Sequence, residues 1–136
     1  MAKDKLYICV DFDGTCTTHD YPRVGFDIGA IPVLRRLVAE GHKLIIFTMR
    51  SGNTLDDVVN WYANNGIPVF GVNRNPTQTW TKSPKAYGHL YIDDAALGAP
   101  LKMDKNLSER PFIDWTLTEQ MLEEMGVLTK ISTDNV

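Results

Sequence analysis

Asp11-Phe12-Asp13-Gly14-Thr15 follows directly on the apolar, β-prone run Leu6-Tyr7-Ile8-Cys9-Val10. Residues i and i+2 of an extended chain share one side, so Asp11 and Asp13 crowd each other where that run ends. Two like charges so close raise the energy of the doubly ionised state. A divalent cation, or a proton held by one carboxyl, relieves it. Gly14 lets the backbone turn sharply behind the pair. Asp-Gly is also an ordinary turn dipeptide, so this segment alone supports a chemical reading and a merely structural one.

Two further strand ends decide between them. Leu44-Ile45-Ile46-Phe47-Thr48 is an almost wholly apolar run that closes on a hydroxyl, with Met49 and Arg50 behind it, and His89-Leu90-Tyr91-Ile92 closes on Asp93-Asp94. Three strands thus deliver carboxylate or hydroxyl groups at the same end. Several carboxylates suit a hard cation that keeps some of its waters, with Mg²⁺ the first choice. Such an ion neutralises a phosphate, and a free carboxylate beside it can attack phosphorus to give an aspartyl-phosphate. Thr48 and a lysine would hold the non-bridging oxygens. Arg50 is placed to contact the phosphate or a second anionic group, with a surface ion pair as the plainer alternative. Trp80, in a polar loop, is a candidate for stacking on substrate. His19 and His42 receive no role, and Trp61 and Tyr62 read as helix packing.

The elements that would position these groups alternate. Ile28, Ile31, Leu34 and Leu37 recur at helical spacing, with Asp27 as N-cap and Gly41 beyond the end. Pro32 is tolerated only near a helix start and argues for a start later than Ile28. A second helix runs from about Thr54 to Asn65, with Leu55, Val58, Val59 and Tyr62 facing inward. Val69–Val72 is a third strand, followed by a polar loop from Asn73 to Ser83. Thr116 with Glu119 matches a capping box that opens a short helix through Met125; the chain from Lys130 onward reads as a frayed end. The alternation predicts an α/β fold: a three-layer, Rossmann-like parallel sheet with right-handed crossovers and helices on both faces. In such sheets the site lies at the carboxyl ends of the strands, near the topological switch.

The 136 residues suit a single domain spanning 1–136, and the net charge of −3 comes without any Lys/Arg run, which argues against a general nucleic-acid surface. Met1-Ala2-Lys3-Asp4-Lys5 lacks a signal-peptide core, and no apolar run approaches membrane-spanning length. The two cysteines, Cys9 and Cys16, match no zinc pattern. Cys9 reads as a small core residue and Cys16 as a partly exposed thiol without assigned chemistry. These features suit a reducing, cytoplasmic compartment.

Asp11-Phe12-Asp13-Gly14-Thr15, Thr48 after an apolar strand, a downstream lysine and Asp93-Asp94 together resemble the four motifs of the haloacid dehalogenase (HAD) superfamily, over roughly residues 5 to 97. Ser83-Pro84-Lys85-Ala86-Tyr87 leading into Leu90-Tyr91-Ile92-Asp93-Asp94 is similar to a small capless branch of HAD phosphatases. The resemblance implies a Mg²⁺-dependent phosphomonoesterase. Asp11 would be nucleophile and metal ligand. Asp13 would serve as general acid and then base, its backbone carbonyl on the metal. Asp93 and Asp94 would complete the metal shell. Thr15, Thr48, Met49, Arg50 and Lys85 would surround the phosphoryl group, with Lys85 preferred over Lys82 as the bridging lysine. Neither interval between the motifs has room for a cap domain, and capless members act on large substrates or borrow a neighbouring subunit as lid. A homo-oligomer covering the open site is therefore an expected partner, beside a phosphorylated substrate whose class stays open. Alternatives are a binding or regulatory protein on the same frame, or phosphotransfer to an acceptor other than water. A two-component receiver domain uses a related set of groups, but its acceptor Asp sits on the third strand, where this chain has Val72-Asn73.

Overall fold

Runs of aliphatic and aromatic residues pair here into a parallel sheet whose strands are short. The structure, a computed structural model, describes residues 5–131; residues 132–136 of the expected frayed end lie outside the described residues. The elements are β1 (Tyr7–Val10), α1 (Ala30–Ala39), β2 (Lys43–Ile46), α2 (Gly52–Asn64), β3 (Gly71–Val72), β4 (Leu90–Ile92), β5 (Leu101–Lys102), β6 (Phe112–Ile113) and α3 (Trp115–Glu124). β1 lies between β2 and β4, with Ile8 opposite both Leu44 and Leu90, and β3 pairs outside β2. All these pairings are parallel, giving the order β3-β2-β1-β4. The fold is therefore mixed α/β. The chain steps outward from β1 to β2 to β3, then returns to the other side of β1. That reversal makes the switch point between β1 and β4, and a crevice opens there beyond the carboxyl ends.

Alternation sorts the side chains onto two faces. Ile8, Val10, Leu44, Ile46 and Ile92 join the buried residues of all three helices in one core: Val33, Leu34 and Leu37 of α1, Val58 and Tyr62 of α2, Trp115 and Leu122 of α3. Cys9 and Ile45 face the other way, where they meet Ala86, Phe47, Phe70 and Tyr91. The expectation of helices on both faces is corrected: they share one. Right-handed crossovers that step in one direction leave α1 and α2 on the same side. The β3–β4 crossover runs in reverse and belongs to the opposite side, but residues 73–89 contain no helix. Buried amides brace this loop instead. Asn75 Nδ2 donates to Tyr87 O at 3.0 Å, Gln78 Nε2 donates to Lys85 O at 2.9 Å, and Gln78 Oε1 accepts from Tyr87 N at 2.8 Å. Both faces of β2 are thereby covered, as its continuous apolar run requires.

Helix boundaries shift for local reasons. α1 is preceded by Gly29 with φ of 102°, and Asp27 Oδ2 accepts from Gly29 N at 3.1 Å, so Asp27 shapes the turn before the cap. Pro32 sits in the first turn, where its missing N–H costs no helical bond. α2 starts at Gly52; Val59 turns outward, while Trp61 packs edge-on against Phe12 with ring centres 5.4 Å apart. α3 is capped by Asp114, whose Oδ1 accepts from Leu117 N at 3.1 Å, rather than by Thr116. Arg36 ties α1 to α3 through Glu119 and Glu123, at 3.0 and 2.7 Å. His42 is buried, its Nδ1 accepting from Leu6 N and its Nε2 against Val127 O. The antiparallel β5–β6 pair, absent from the sequence reading, follows β4. Among the described residues no helix is long and apolar enough to cross a membrane.

Candidate active site

The strand ends meet as the alternation requires. Asp11 N donates to Ile92 O at 2.9 Å, which carries the β1–β4 pairing one residue past β1 and sets Asp11 beside Asp93. Phe12 is buried in the helix-side core, so Asp11 and Asp13 point the other way, into the crevice. Gly14 has φ of 79°, and a Cβ built there would lie 2.2 Å from His19 Nε2 and 2.5 Å from Asp94 Oδ2. A glycine is thus needed both for the turn and for the close approach of two side chains. The turn is clamped from behind: Ile113 N donates to Gly14 O at 3.0 Å, and Trp115 Nε1 donates to Thr15 O at 2.6 Å.

Asp11, Asp93 and Asp94 each present a carboxylate oxygen, and these oxygens all lie within 4.8 Å of one another. Thr15, fully buried, ties the cluster: its hydroxyl lies 2.8 Å from Asp11 Oδ2 and 3.3 Å from Asp94 Oδ1, and it accepts from Asp94 N at 3.0 Å. Thr15 does not line the cavity, so its expected contact with substrate gives way to a bracing role. Burial above all, then the Asp94 and Asp93 carboxylates, pushes the Asp11 carboxyl up to about 8, against the opposing hydrogen bond from Thr15. The donor set suits a hard cation, since carboxylate oxygens from three residues converge within 4.8 Å. His19, given no role from sequence, adjoins the cluster. Its Nε2 lies 3.1 Å from Asp94 Oδ2, but off the hydrogen-bond direction, so the buried nitrogen lacks an aligned partner.

Asp13 faces a different partner. Arg50 Nε and one terminal nitrogen donate to its two oxygens at 2.8 and 2.7 Å, a bidentate fork. The Arg50 side chain is 1% exposed and that of Asp13 22%, so this is no surface pair. The remaining donors go to Pro22 O at 3.0 Å, Thr54 O at 3.4 Å and Arg23 O at 2.6 Å. All five guanidinium N–H groups are engaged, leaving none for the phosphate contact expected of Arg50. The Phe12 and Tyr21 rings cover the guanidinium, with centres 5.4 and 5.1 Å away. Asp13 holds Arg50 still more firmly charged than usual.

Thr48 reaches the cavity, its N–H donating to Asn73 Oδ1 at 2.8 Å and its Oγ1 accepting from Arg50 N at 3.1 Å. Asn73, at φ of 52°, adopts the left-handed backbone that asparagine tolerates and so turns its side chain back to Thr48. Met49 stands fully exposed at the rim. Lys85 does not line the cavity. Its Nζ lies 5.4 Å from the centre of the Tyr91 ring, on the loop-covered face, and with Lys82 it borders a neighbouring recess. Trp80 is also elsewhere, exposed and edge-on to Tyr87. Cys16 is fully buried, its Sγ 3.8 Å from Tyr62 Oη, not a partly exposed thiol; burial raises its pKa strongly.

The resulting cavity of about 780 Å³ is open and lined by Asp11, Asp13, Asp93, Asp94, Thr48 and Asn73, with Tyr21, Phe47 and Met49 as an apolar rim and Arg110 at its edge. His19, Asn73, Tyr21 and Arg110 escaped the sequence reading. Only Asn73, at the end of the third strand, carried a positional signal. Asp11, Asp93 and Asp94 could together hold a hard cation.

No protein-family model matches the chain, and no curated protein matches it. Among solved structures it is similar to a conserved protein from Bacteroides thetaiotaomicron, at 31% sequence identity and a TM-score of 0.73, over 90% of this chain and 93% of the other. With that identity over nearly the whole of both chains, this chain belongs to the same family as the Bacteroides thetaiotaomicron protein.

Proposed function

We propose that the chain is a Mg²⁺-dependent phosphomonoesterase of capless, HAD-like architecture that works through an aspartyl-phosphate. The observation that carries this reading is the convergence of Asp11, Asp93 and Asp94 within 4.8 Å at the β1–β4 switch point. Asp11, Asp93 and Asp94 would hold the ion, whose charge would neutralise the phosphoryl oxygens and keep Asp11 ionised. Asp11 attacks phosphorus as the bond to the leaving oxygen breaks, and Asp13, having first taken up a proton from solvent, gives it to that oxygen. Water then attacks phosphorus, Asp13 takes its proton, and the bond to Asp11 breaks to release phosphate. Arg50 orients Asp13 for both steps, and each Asp13 oxygen keeps a lone pair outside the fork to carry the proton. Thr48 donates its hydroxyl to a non-bridging oxygen. Both cysteines are free and buried, in keeping with a reducing, cytoplasmic setting. A second copy covering the open cavity belongs to the same reading.

Acid quenching during turnover of a phosphate-ester panel, with mass spectrometry of the peptide bearing Asp11, tests this. Phosphate trapped on Asp11 is the expected result, and phosphate on another residue, or none during active turnover, counts against it. A second reading, a frame that binds cation and phosphate without turnover, draws on one observation: Lys85 lies outside the cavity. Tight phosphate binding with no hydrolysis of nucleotides, sugar phosphates, phosphoproteins or phosphorylated oligonucleotides would favour it.

A further inference from the structure

A phosphate dianion in the cavity needs a positively charged side chain as well as a cation, and neither expected supplier is free to serve. Lys85 and Lys82 border a different recess. Arg50 lines the cavity, but its five N–H groups are spent on Asp13 and three backbone carbonyls. His19 faces Asp94. Among the lining residues one cation remains, Arg110. Its guanidinium enters no ion pair among the described residues; only its backbone N–H is bonded, to Ser108 Oγ at 3.1 Å.

Arg110 also borders a smaller recess beside His19 and Glu109. Arg110 lies near the end of the loop between β5 and β6, two positions before Phe112. That hairpin is fixed to the acid-bearing turn by the bond from Ile113 N to Gly14 O. Asp104 braces the loop's other half, its Oδ1 accepting from Asn106 N at 3.0 Å and its carbonyl from Leu107 N at 2.9 Å and Ser108 N at 3.0 Å. The hairpin that carries Arg110 is thereby tied to the acid-bearing turn, and the exposed Arg110 side chain lines the same cavity with its donors unspent.

We propose that Arg110 binds the phosphoryl group of the substrate, in the charge-compensating place expected of Lys85. The inference rests on the phosphate-ester reading above and names the recognition element that reading lacks. It also moves substrate recognition to the hairpin after β4. A planar guanidinium fork matches two phosphoryl oxygens, which a lysine cannot do.

The test is calorimetric binding of inorganic phosphate to the full chain with saturating Mg²⁺, comparing wild type with Arg110→Ala, Arg110→Lys and Lys85→Ala. Arg110 is exposed, so its substitution should leave the fold intact, which a thermal melt verifies. We expect binding at least tenfold weaker in Arg110→Ala, part of it restored in Arg110→Lys, and a change of less than twofold in Lys85→Ala. With a phosphate ester, Arg110→Ala should raise KM more than it lowers kcat. Binding in Arg110→Ala within twofold of wild type, a larger loss in Lys85→Ala, or no phosphate binding by the wild type would each overturn the assignment. Wild type that binds phosphate through Arg110 yet hydrolyses no ester would leave this inference standing and refute the phosphatase reading alone.

Discussion

Replacing Arg50 with alanine is the sharpest structural perturbation of the site. It removes a buried charge that makes a two-point contact with Asp13 and three contacts with Pro22, Arg23 and Thr54 carbonyls. Removing one member of a buried pair costs about 3–5 kcal/mol, because the other is left without a counter-charge. Asp13 retains 22% exposure, so water solvates part of its orphaned charge and the low end applies. A loss of about 3 kcal/mol in a chain of this size lowers Tm by about 10–15 °C. Arg50→Lys keeps the charge but not the fork, and about half that loss is expected. Circular-dichroism melts at neutral pH, with urea unfolding for the free energy, measure both. The double variant Arg50→Ala/Asp13→Asn isolates the pair, with a coupling energy of about 2 kcal/mol expected. A Tm loss under about 3 °C for Arg50→Ala, or effects of the two substitutions that simply add, would refute the argument that the fork holds Asp13 in place.

Two further outcomes follow from the same geometry. Gly14→Ala forces a Cβ into the space of His19 Nε2 and Asp94 Oδ2 at φ of 79°; a stability loss of about 2 kcal/mol or more, with weakened Mg²⁺ binding by calorimetry, is expected. The pH dependence without metal comes from Asp11, whose carboxyl is raised from 3.8 to about 8 by burial first and by Asp94 and Asp93 next. Between these values the folded chain holds a proton that the unfolded chain has lost, so Asp11's contribution to stability is full below the lower value and disappears as pH rises through the higher. Melts in chelator should therefore show Asp11→Asn flattening the decline between about pH 4 and 8, whereas Mg²⁺ should stabilise the wild type more as pH rises, with proton release on binding.

Asp11, Asp13, Thr48, Asp93 and Asp94 were legible in the sequence because strand period and the carboxyl-end rule act locally: an apolar run followed by an acid says where that acid will point. Lys85 was not, since its distance along the chain from β4 does not say which face of the sheet the intervening loop crosses. The loop covers the face opposite the helices, and Lys85 goes with it onto Tyr91. Arg50 was found as a residue but not in its role, which depends on carbonyls of Pro22 and Arg23 contributed by a distant turn. His19 and Arg110 sit on loops with no periodicity to mark them. The α3 start was misplaced by two residues because Asp114 and Thr116 are both competent caps, and the bond from Trp115 Nε1 to Thr15 O favours the earlier one by drawing Trp115 under the acid-bearing turn.

The central claim, that Asp11 is the nucleophile of a cation-dependent phosphomonoesterase, is tested most directly by phosphate release from p-nitrophenyl phosphate by wild type and Asp11→Asn, each with Mg²⁺ and with chelator. Wild type should show turnover that chelator abolishes and Mg²⁺ restores, and Asp11→Asn a loss on the order of 10³-fold or more. Turnover that persists in Asp11→Asn, or that proceeds equally in chelator, would contradict that claim.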